Sequence, residues 1–355
     1  MRSDESCLVE IDCYDDDLFD KHDVGGMERA CEHCGSWNFE GELVGQPLHF
    51  NICCRNGKLS HLPKIPEPPE ELHDLLAGRD VESRKFRERI REYNSALSFV
   101  SFGADIKPPP GHGPPVFRIH GAVYHASVAL DVRRPTEGKY AQLYLYDHGH
   151  ALDLRTRRNP ELSPKIMESL QTMLEEISPF VEGYRQMCHV ARQALDTGVS
   201  NICLGFAANT EGDLRRYNKP TTREVAAVFC GDEGAPPSNR DIVIWPKERA
   251  AYRVNERNDL IDPLTYALLF PEGTAGWSES LEHRSDKQTK TYKHVTATQF
   301  YAYRLMMFGE PGSENYVPHG AGLLFQQYLV DSYCRAEAVR LMYLRTHQAE
   351  LRSEA

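Results

Sequence analysis

Cys31 and Cys34 stand as a C-x2-C pair, and Cys53 and Cys54 follow in CEHCGSWNFEGELVGQPLHFNICCRNGKLSHLP. Two thiolates separated by two residues converge on one ion when the chain turns tightly between them, and Gly35 supplies such a turn. A second sulfur pair carried back alongside, by a hairpin of WNFEGEL with PLHFNI, closes a tetrahedral site of four sulfurs for structural zinc. A site of this kind folds a small unit that lacks its own core and leaves no position open for water. The adjacent pair is the harder half. Neighbouring side chains on a regular strand point to opposite faces, so Cys53 and Cys54 can share an ion only at a turn, which RNGK can begin. If only one of them binds, His33, His49 or His61 is the fourth ligand; the alternative is a set of buried or redox-active thiols.

Other residues imitate chemistry less well. His148-Gly149-His150 has the spacing of a two-histidine metal motif, but its glycine centre reads as a loop with solvent-facing imidazoles. Tyr292, Tyr301 and Tyr303 have no metal pair beside them and read as core anchors, not nucleophiles. Asp147 and His125 can be cast as orienter and base, yet no nucleophile or oxyanion site accompanies them. Gly57-Lys58 and Gly138-Lys139 lack the glycine spacing and the following Ser or Thr of a phosphate-binding loop. Three basic strings, RKFRERIR at 84–91, RTRR at 155–158 and RRYNK at 215–219, are places to meet phosphates. Arg87, Arg91, Arg215, Arg216 and Lys219 are the candidates; solvated helix faces or loops are the plainer account of such strings.

The elements that must position these residues alternate in type. LPKIPEPPEELHDLLAG blocks a helix until about Pro69. SRKFRERIREYNSALSFVSFGA then places Phe86, Ile90, Tyr93 and Leu97 at helical spacing, with arginines opposite. After DIKPPPGHGPP, the segments FRIHGAVYHASVAL and YAQLYLYD alternate like an antiparallel strand pair. Residues 163–195 read as a helix capped by Ser163, opened by Pro164 and broken at Pro179. TTREVAAVFCG reads as a short helix, and RDIVIWP as a strand paired with AAYRVNE. From Gly322 to Glu354 a long helix is expected, with Phe325, Leu329, Val330, Tyr333, Ala336, Leu341, Leu344 and Leu351 as its apolar face. Exposed, that face would drive self-association.

The predicted class is therefore α+β: a small N-terminal zinc-binding unit, a mixed α/β middle region and a helical C-terminal segment. The expected divisions are an acidic disordered tail at 1–24, a zinc-knuckle unit at 25–66 and a Pro-rich hinge with an amphipathic helix at 67–107. An α+β domain at 112–280 and a helical region at 291–355 complete them. The 355 residues carry a net charge of −11. Nine acids against Arg2 and Lys21 put −7 of it in residues 1–23 and leave −4 on the rest, so charge alone does not exclude nucleic acid. No apolar run approaches the ~18 residues of a membrane span, and the N-terminus is acidic, so a soluble, non-secreted protein with reduced cysteines is expected.

The order and spacing of many pieces then point further. CEHCG, CCRNGK, LPKIPEPP, FRERIREYNSALSFVSFGA, FRIHGAVYH, YAQLYLYD, RRYNKPTTREVAAVF, RDIVI, DPLTYALLFPEGTAGW, FYAYRLM and LLFQQYLVDSYCRAEAVRLMYLRTHQAELR together resemble the N-terminal half of Helitron transposon proteins. These are rolling-circle replication initiator and helicase polyproteins, and the resemblance runs over about residues 25–355, with the helicase-like domain starting near FYAYRLM. It implies DNA as partner, a nuclear location, and nuclease and helicase parts lying beyond Ala355. It also implies that the nuclease's metal pair and tyrosine nucleophile and the helicase's phosphate loop are not in this chain. The expected function is a non-catalytic front module, zinc-stabilised, assisting DNA or intramolecular contacts. A metal-dependent nuclease using His125, His148 and His150, or a host-recruited interaction module, are the alternatives.

Overall fold

Proline placement decides where the first helix begins. The computed structural model describes residues 24–45, 49–103, 124–127, 140–185, 189, 202–206, 227–230, 242–244, 252–253, 257–289, 293–309 and 320–348. Pro69 stands at the N-cap of α1 (Glu70–Ala77), the first position at which the Pro-rich segment lets backbone amides bond in helical register. Helix α2 (Val81–Glu88) starts on Asp80, whose carboxylate accepts from the Ser83 amide at 2.9 Å. Helix α3 (Ile90–Leu97) follows after a break at Arg89, where φ is −113° and ψ 17°. The one helix expected here is thus two. The i, i+4, i+7, i+11 stripe of Phe86, Ile90, Tyr93 and Leu97 nevertheless stays on one side and is buried.

Helix α4 (His148–Arg158) opens on Asp147, which accepts from the His150 amide at 3.0 Å. Helix α5 (Pro164–Ile177) has Ser163 at its N-cap and proline at its first position, and helix resumes over 179–185 after Ser178, so the proline break stands as expected. The Ser163 side chain makes no capping bond; instead its amide donates to Tyr93 Oη at 2.9 Å. Short α6 (Ile261–Thr265) is fully buried, α7 (Ala297–Arg304) has a Thr296/Gln299 capping box, and α8 (Gly322–Thr346) is the longest described helix.

The strands form small antiparallel sheets. β1 (Arg29–Ala30) pairs with β2 (Trp37–Asn38), and β3 (Leu43–Val44) with β4 (His49–Phe50). A three-stranded sheet runs β10 (Tyr252–Arg253), β6 (Tyr124–Ser127), β5 (Ser101–Gly103), and another β8 (Ala227–Cys230), β7 (Ile202–Phe206), β9 (Ile242–Ile244). The class is mixed α+β, rich in helix.

Several sequence expectations are corrected. YAQLYLYD is not a strand beside β6: residues 140–145 form a 3-10 helix in which Ala141 to Leu145 are all buried. A short run buried on every side carries no usable period, and its aromatics suggested the wrong element. Residues 227–230 of TTREVAAVFCG are strand, paired with β7. RDIVIWP does hold a strand, but β9 pairs with β7, while β10 pairs with β6. His148 and His150 lie in the first turn of α4, not in a loop, because Asp147 caps the helix just ahead of them.

Helix α8 shows the largest reversal. Its buried residues are Leu324, Tyr328, Asp331, Ser332, Arg335 and Ala336. Of the expected apolar face, Ala336 is buried and Phe325 half-buried, whereas Leu329, Val330, Tyr333, Leu341 and Leu344 are exposed; Leu351 lies outside the described residues. The side chains that face inward are largely polar because they meet charged partners in the core.

Cys31, Phe50, Cys53, Cys54, Leu59 and Leu62 belong to the same hydrophobic cluster as Tyr266, Phe300, Leu324 and Tyr328. Among the described residues, no helix is long and apolar enough to cross a membrane.

Candidate metal centre and a buried charge cluster

A tight hairpin delivers the first two sulfurs. Strands β1 and β2 flank residues 31–36, the Gly35 amide donates to Cys31 O at 2.8 Å, and the Cys31 amide donates to Ser36 O at 2.8 Å. Gly35 takes a φ of +73°, a left-handed conformation that a side chain would strain. The second pair comes back on the β3–β4 hairpin, which is narrower than predicted, with Leu43 opposite Phe50 and Val44 opposite His49.

The adjacent cysteines converge because the chain turns immediately after them. Arg55, Asn56 and Gly57 have φ values of +54°, +57° and +79°, three consecutive left-handed residues. This run folds the backbone so that the Leu59 amide donates to Cys54 O at 3.0 Å and the Gly57 amide to Cys54 Sγ at 3.1 Å. The geometric objection to a shared ion is removed by those three residues.

All four sulfurs lie within 4.8 Å of one another. Cys31 Sγ stands 3.8 Å from Cys54 Sγ, and Cys53 Sγ 4.0 Å from Cys54 Sγ. Ligands about 2.3 Å from a tetrahedral zinc ion sit roughly 3.8 Å apart, so the spacing fits. Cys31, Cys53 and Cys54 are buried and Cys34 half-buried. Packed this closely, the sulfurs divide their protons unequally: hydrogen bonds from Cys53 and Cys54 hold Cys34 far below the ordinary thiol range, while the bond with Cys34 pushes both partners up. One thiolate tolerates no second negative neighbour unless a cation sits among them. The donor set could therefore hold a metal ion and is compatible with zinc. With four cysteines in place, no histidine is needed: His33 packs against Gly57, and His61 Nε2 lies 3.0 Å from Glu282 O.

The unit is fastened to residues far along the chain. The Trp37 amide donates to Met307 O at 2.8 Å and its indole to Gly309 O; the Arg284 amide donates to Lys58 O at 3.0 Å. Lys287 Nζ donates to Asn56 O at 2.8 Å, and Lys64 Nζ sits 3.9 Å over the Phe308 ring. Tyr303 packs here as a buried anchor.

Sequence reasoning missed a second constellation. Asp262 on α6 is fully buried and faces two buried arginines. Arg304 Nη1 donates to its Oδ2 at 2.9 Å, and Arg335 Nη1 donates to its Oδ1. Tyr328 donates to Oδ2 at 2.9 Å and Tyr301 to Oδ1 at 3.3 Å, while Tyr266 donates to Asp331 at 3.0 Å. The Arg304 guanidinium lies over Phe270 and Phe300, 4.6 and 4.9 Å from their centroids. Burial raises the Asp262 carboxyl, but Arg335 and Arg304 together outweigh it and hold the group below the usual carboxylate range. Gly276 permits the close approach: a Cβ there would lie 2.8 Å from Asp262 Cγ. A signal did exist, since Tyr328, Asp331, Ser332 and Arg335 recur at i, i+3, i+4 and i+7 and mark a polar stripe on one helix face.

The basic candidates separate. Arg87 is drawn into structure, its Nη1 donating to the carbonyls of Leu75, Leu76 and Gly78 at 3.1, 3.1 and 2.6 Å and so closing the C-terminus of α1. Arg91 is exposed on α3. Arg215, Arg216 and Lys219 lie outside the described residues, as do the acidic tail at 1–23 and Tyr292. Within RTRR, Arg155 is buried and Arg157 pairs with Asp153 at 2.8 Å. Asp147 serves as a helix cap, and His148 Nδ1 lies 3.3 Å from Glu175 Oε2. Among the described residues, the side chains that converge with metal-ligand spacing are the four cysteines. Comparison with known protein families and with curated proteins returns no match for this chain.

Proposed function

We propose that this chain is a non-catalytic module whose N-terminal unit is held by one structural zinc ion, bound by Cys31, Cys34, Cys53 and Cys54. The carrying observation is the buried tetrad of sulfurs with tetrahedral spacing. Four protein ligands fill the coordination shell, so the ion orders the chain and offers no site for water or substrate. Its contribution extends through Trp37, Lys58 and Ser60 to segments more than 200 residues away, which makes the metal a clamp between the N-terminal unit and those segments.

The family resemblance of the sequence supports a narrower reading, the front module of a Helitron rolling-circle transposase and helicase, acting in the nucleus. In that setting the module assists DNA contacts or docks the catalytic parts of the same protein. Arg91 is an exposed cation available to phosphates.

Metal analysis of the purified chain tests the first statement: about one zinc per chain is expected, falling to none in Cys31→Ser. Incubation with supercoiled or single-stranded DNA and a divalent cation tests the second. Weak, salt-sensitive binding without nicking is expected, and cation-dependent nicking by this chain alone would overturn the non-catalytic reading.

A further inference from the structure

Arg155 is a buried cation that the proposed function leaves unused. It is 1% exposed, and among the described residues no carboxylate lies within ion-pairing distance. Three elements fix its guanidinium. Nε donates to Ala96 O at the end of α3 at 3.1 Å, Nη1 donates to Gln171 Oε1 on α5 at 2.7 Å, and the Tyr144 ring lies 4.5 Å from its carbon. Nη2 has no hydrogen-bond partner. Glu175, joined to Arg155 through Gln171, supplies a counter-charge one side chain away, but a buried donor left without an acceptor is still costly.

Beside it lies a cleft of about 160 Å³ lined by Arg155, Arg158, Ser95, Asn159 and Tyr140, among others. The carbonyls that end the neighbouring helices are already engaged. Ala96 O accepts from Arg155, Leu97 O accepts from Tyr144 Oη at 2.6 Å, and Arg155 O accepts from Asn159 Nδ2 at 2.8 Å. The polar side chains of the lining are then two arginines, two hydroxyls and an amide. That is the donor-rich, cation-rich lining that suits an oxyanion. The space is below the ~300 Å³ of pockets that enclose drug-sized ligands, so it holds a tetrahedral anion and not a whole nucleotide.

We propose that this cleft between α3, the 140–145 turn and the end of α4 is a binding site for a phosphate group, with Arg155 at its base and Arg158 at its mouth. A rigidly held guanidinium loses little side-chain freedom on binding, which favours the site over exposed arginines on the same helix. The phosphate is either the free ion or a terminal monoester on a larger molecule.

Calorimetric titration of the full chain with sodium phosphate, against sodium chloride at matched ionic strength, tests this. Saturable binding at one site is expected, weakened about tenfold in Arg158→Gln, as the loss of one charge-assisted contact implies. In Arg155→Met binding is expected to vanish. Arg158 is exposed, so Arg158→Gln keeps its fold even if Arg155→Met does not, and circular dichroism checks this. Adenosine 5′-monophosphate serves as the second probe: binding as tight as phosphate or tighter assigns a terminal monoester, and binding of phosphate alone assigns the free ion. No saturable binding, or binding undiminished in Arg158→Gln (an adventitious ion only), overturns the proposal.

Discussion

The cysteine unit and the Asp262 cluster solve the same problem by opposite means. Each ties together chain segments that are remote in sequence, and each does so with polar atoms placed where apolar ones would be ordinary. In the first, four sulfurs of a 24-residue stretch, Cys31 to Cys54, crowd together, and their mutual repulsion calls for an ion from outside. In the second, Asp262 and Asp331 balance Arg304 and Arg335, while Tyr301 and Tyr328 add hydrogen bonds to the Asp262 carboxylate. On the proposed zinc reading the first region depends on metal supply; the second carries its own counter-charges.

The difference can be attacked experimentally because each region has its own reporter. Trp37 lies in the cysteine unit, and buried Trp277, whose indole donates to Val295 O at 2.8 Å, lies beside Gly276 in the other. In a Trp245→Phe background, fluorescence separates them. The largest effect is expected on removing the metal. Apparent binding energies of structural zinc are on the order of 10 kcal/mol, so chelation or Cys54→Ser should release Trp37 to solvent while Trp277 stays buried. Loss of both signals together would show that the regions are one cooperative unit.

Asp262→Ala comes next. It leaves Arg304 and Arg335 buried without their shared carboxylate, a loss of roughly 3–5 kcal/mol, readable as a fall in urea midpoint with zinc content unchanged. A cost below about 1 kcal/mol would mean that water or rearrangement replaces the carboxylate. Tyr328→Phe removes one hydrogen bond to that carboxylate and should cost about 1–3 kcal/mol. Gly57→Ala should cost around 1 kcal/mol, because φ is +79° and the added Cβ meets His33 at 3.3 Å. Its penalty should appear as weaker zinc retention, with Trp277 unaffected.

Acid should separate the regions too. The folded Asp262 carboxyl titrates below its unfolded value of about 3.9, so its contribution is complete above that pH and is lost only as pH falls through the lowered folded value. Thiolates whose unperturbed value is about 8.5 lose their metal to protons at higher pH. Trp37 should therefore respond first on acidification. A single transition shared by both tryptophans would contradict the division.

The same contrast governs what the sequence made legible. A C-x2-C pair, a proline at a helix start and the stripe Phe86, Ile90, Tyr93, Leu97 are local patterns, and the structure places them as read. The adjacent cysteines were readable only as a conditional, because the three left-handed residues that unite them are a property of backbone angles. Asp262 has partners 39 to 73 residues away, and no spacing rule connects them. The same ignorance inverted the face of α8: its apolar residues were assigned to the interior because the charges awaiting its polar stripe could not be seen. YAQLYLYD failed for a different reason, since burial on every side erases the periodicity on which strand and helix are told apart.

Helix α8 carries a consequence of its own for how the chain breathes. Its buried side chains end at Ala336, while Leu341, Met342, Tyr343 and Leu344 are exposed ahead of its end at Thr346. Beyond the uncapped first turn, an amide of the buried half should exchange with deuterium only when the packing around Asp262 opens. In the last two turns, exchange needs no more than fraying of a helix end. One continuous helix should thus report two clocks, slow up to about Ala336 and fast beyond it.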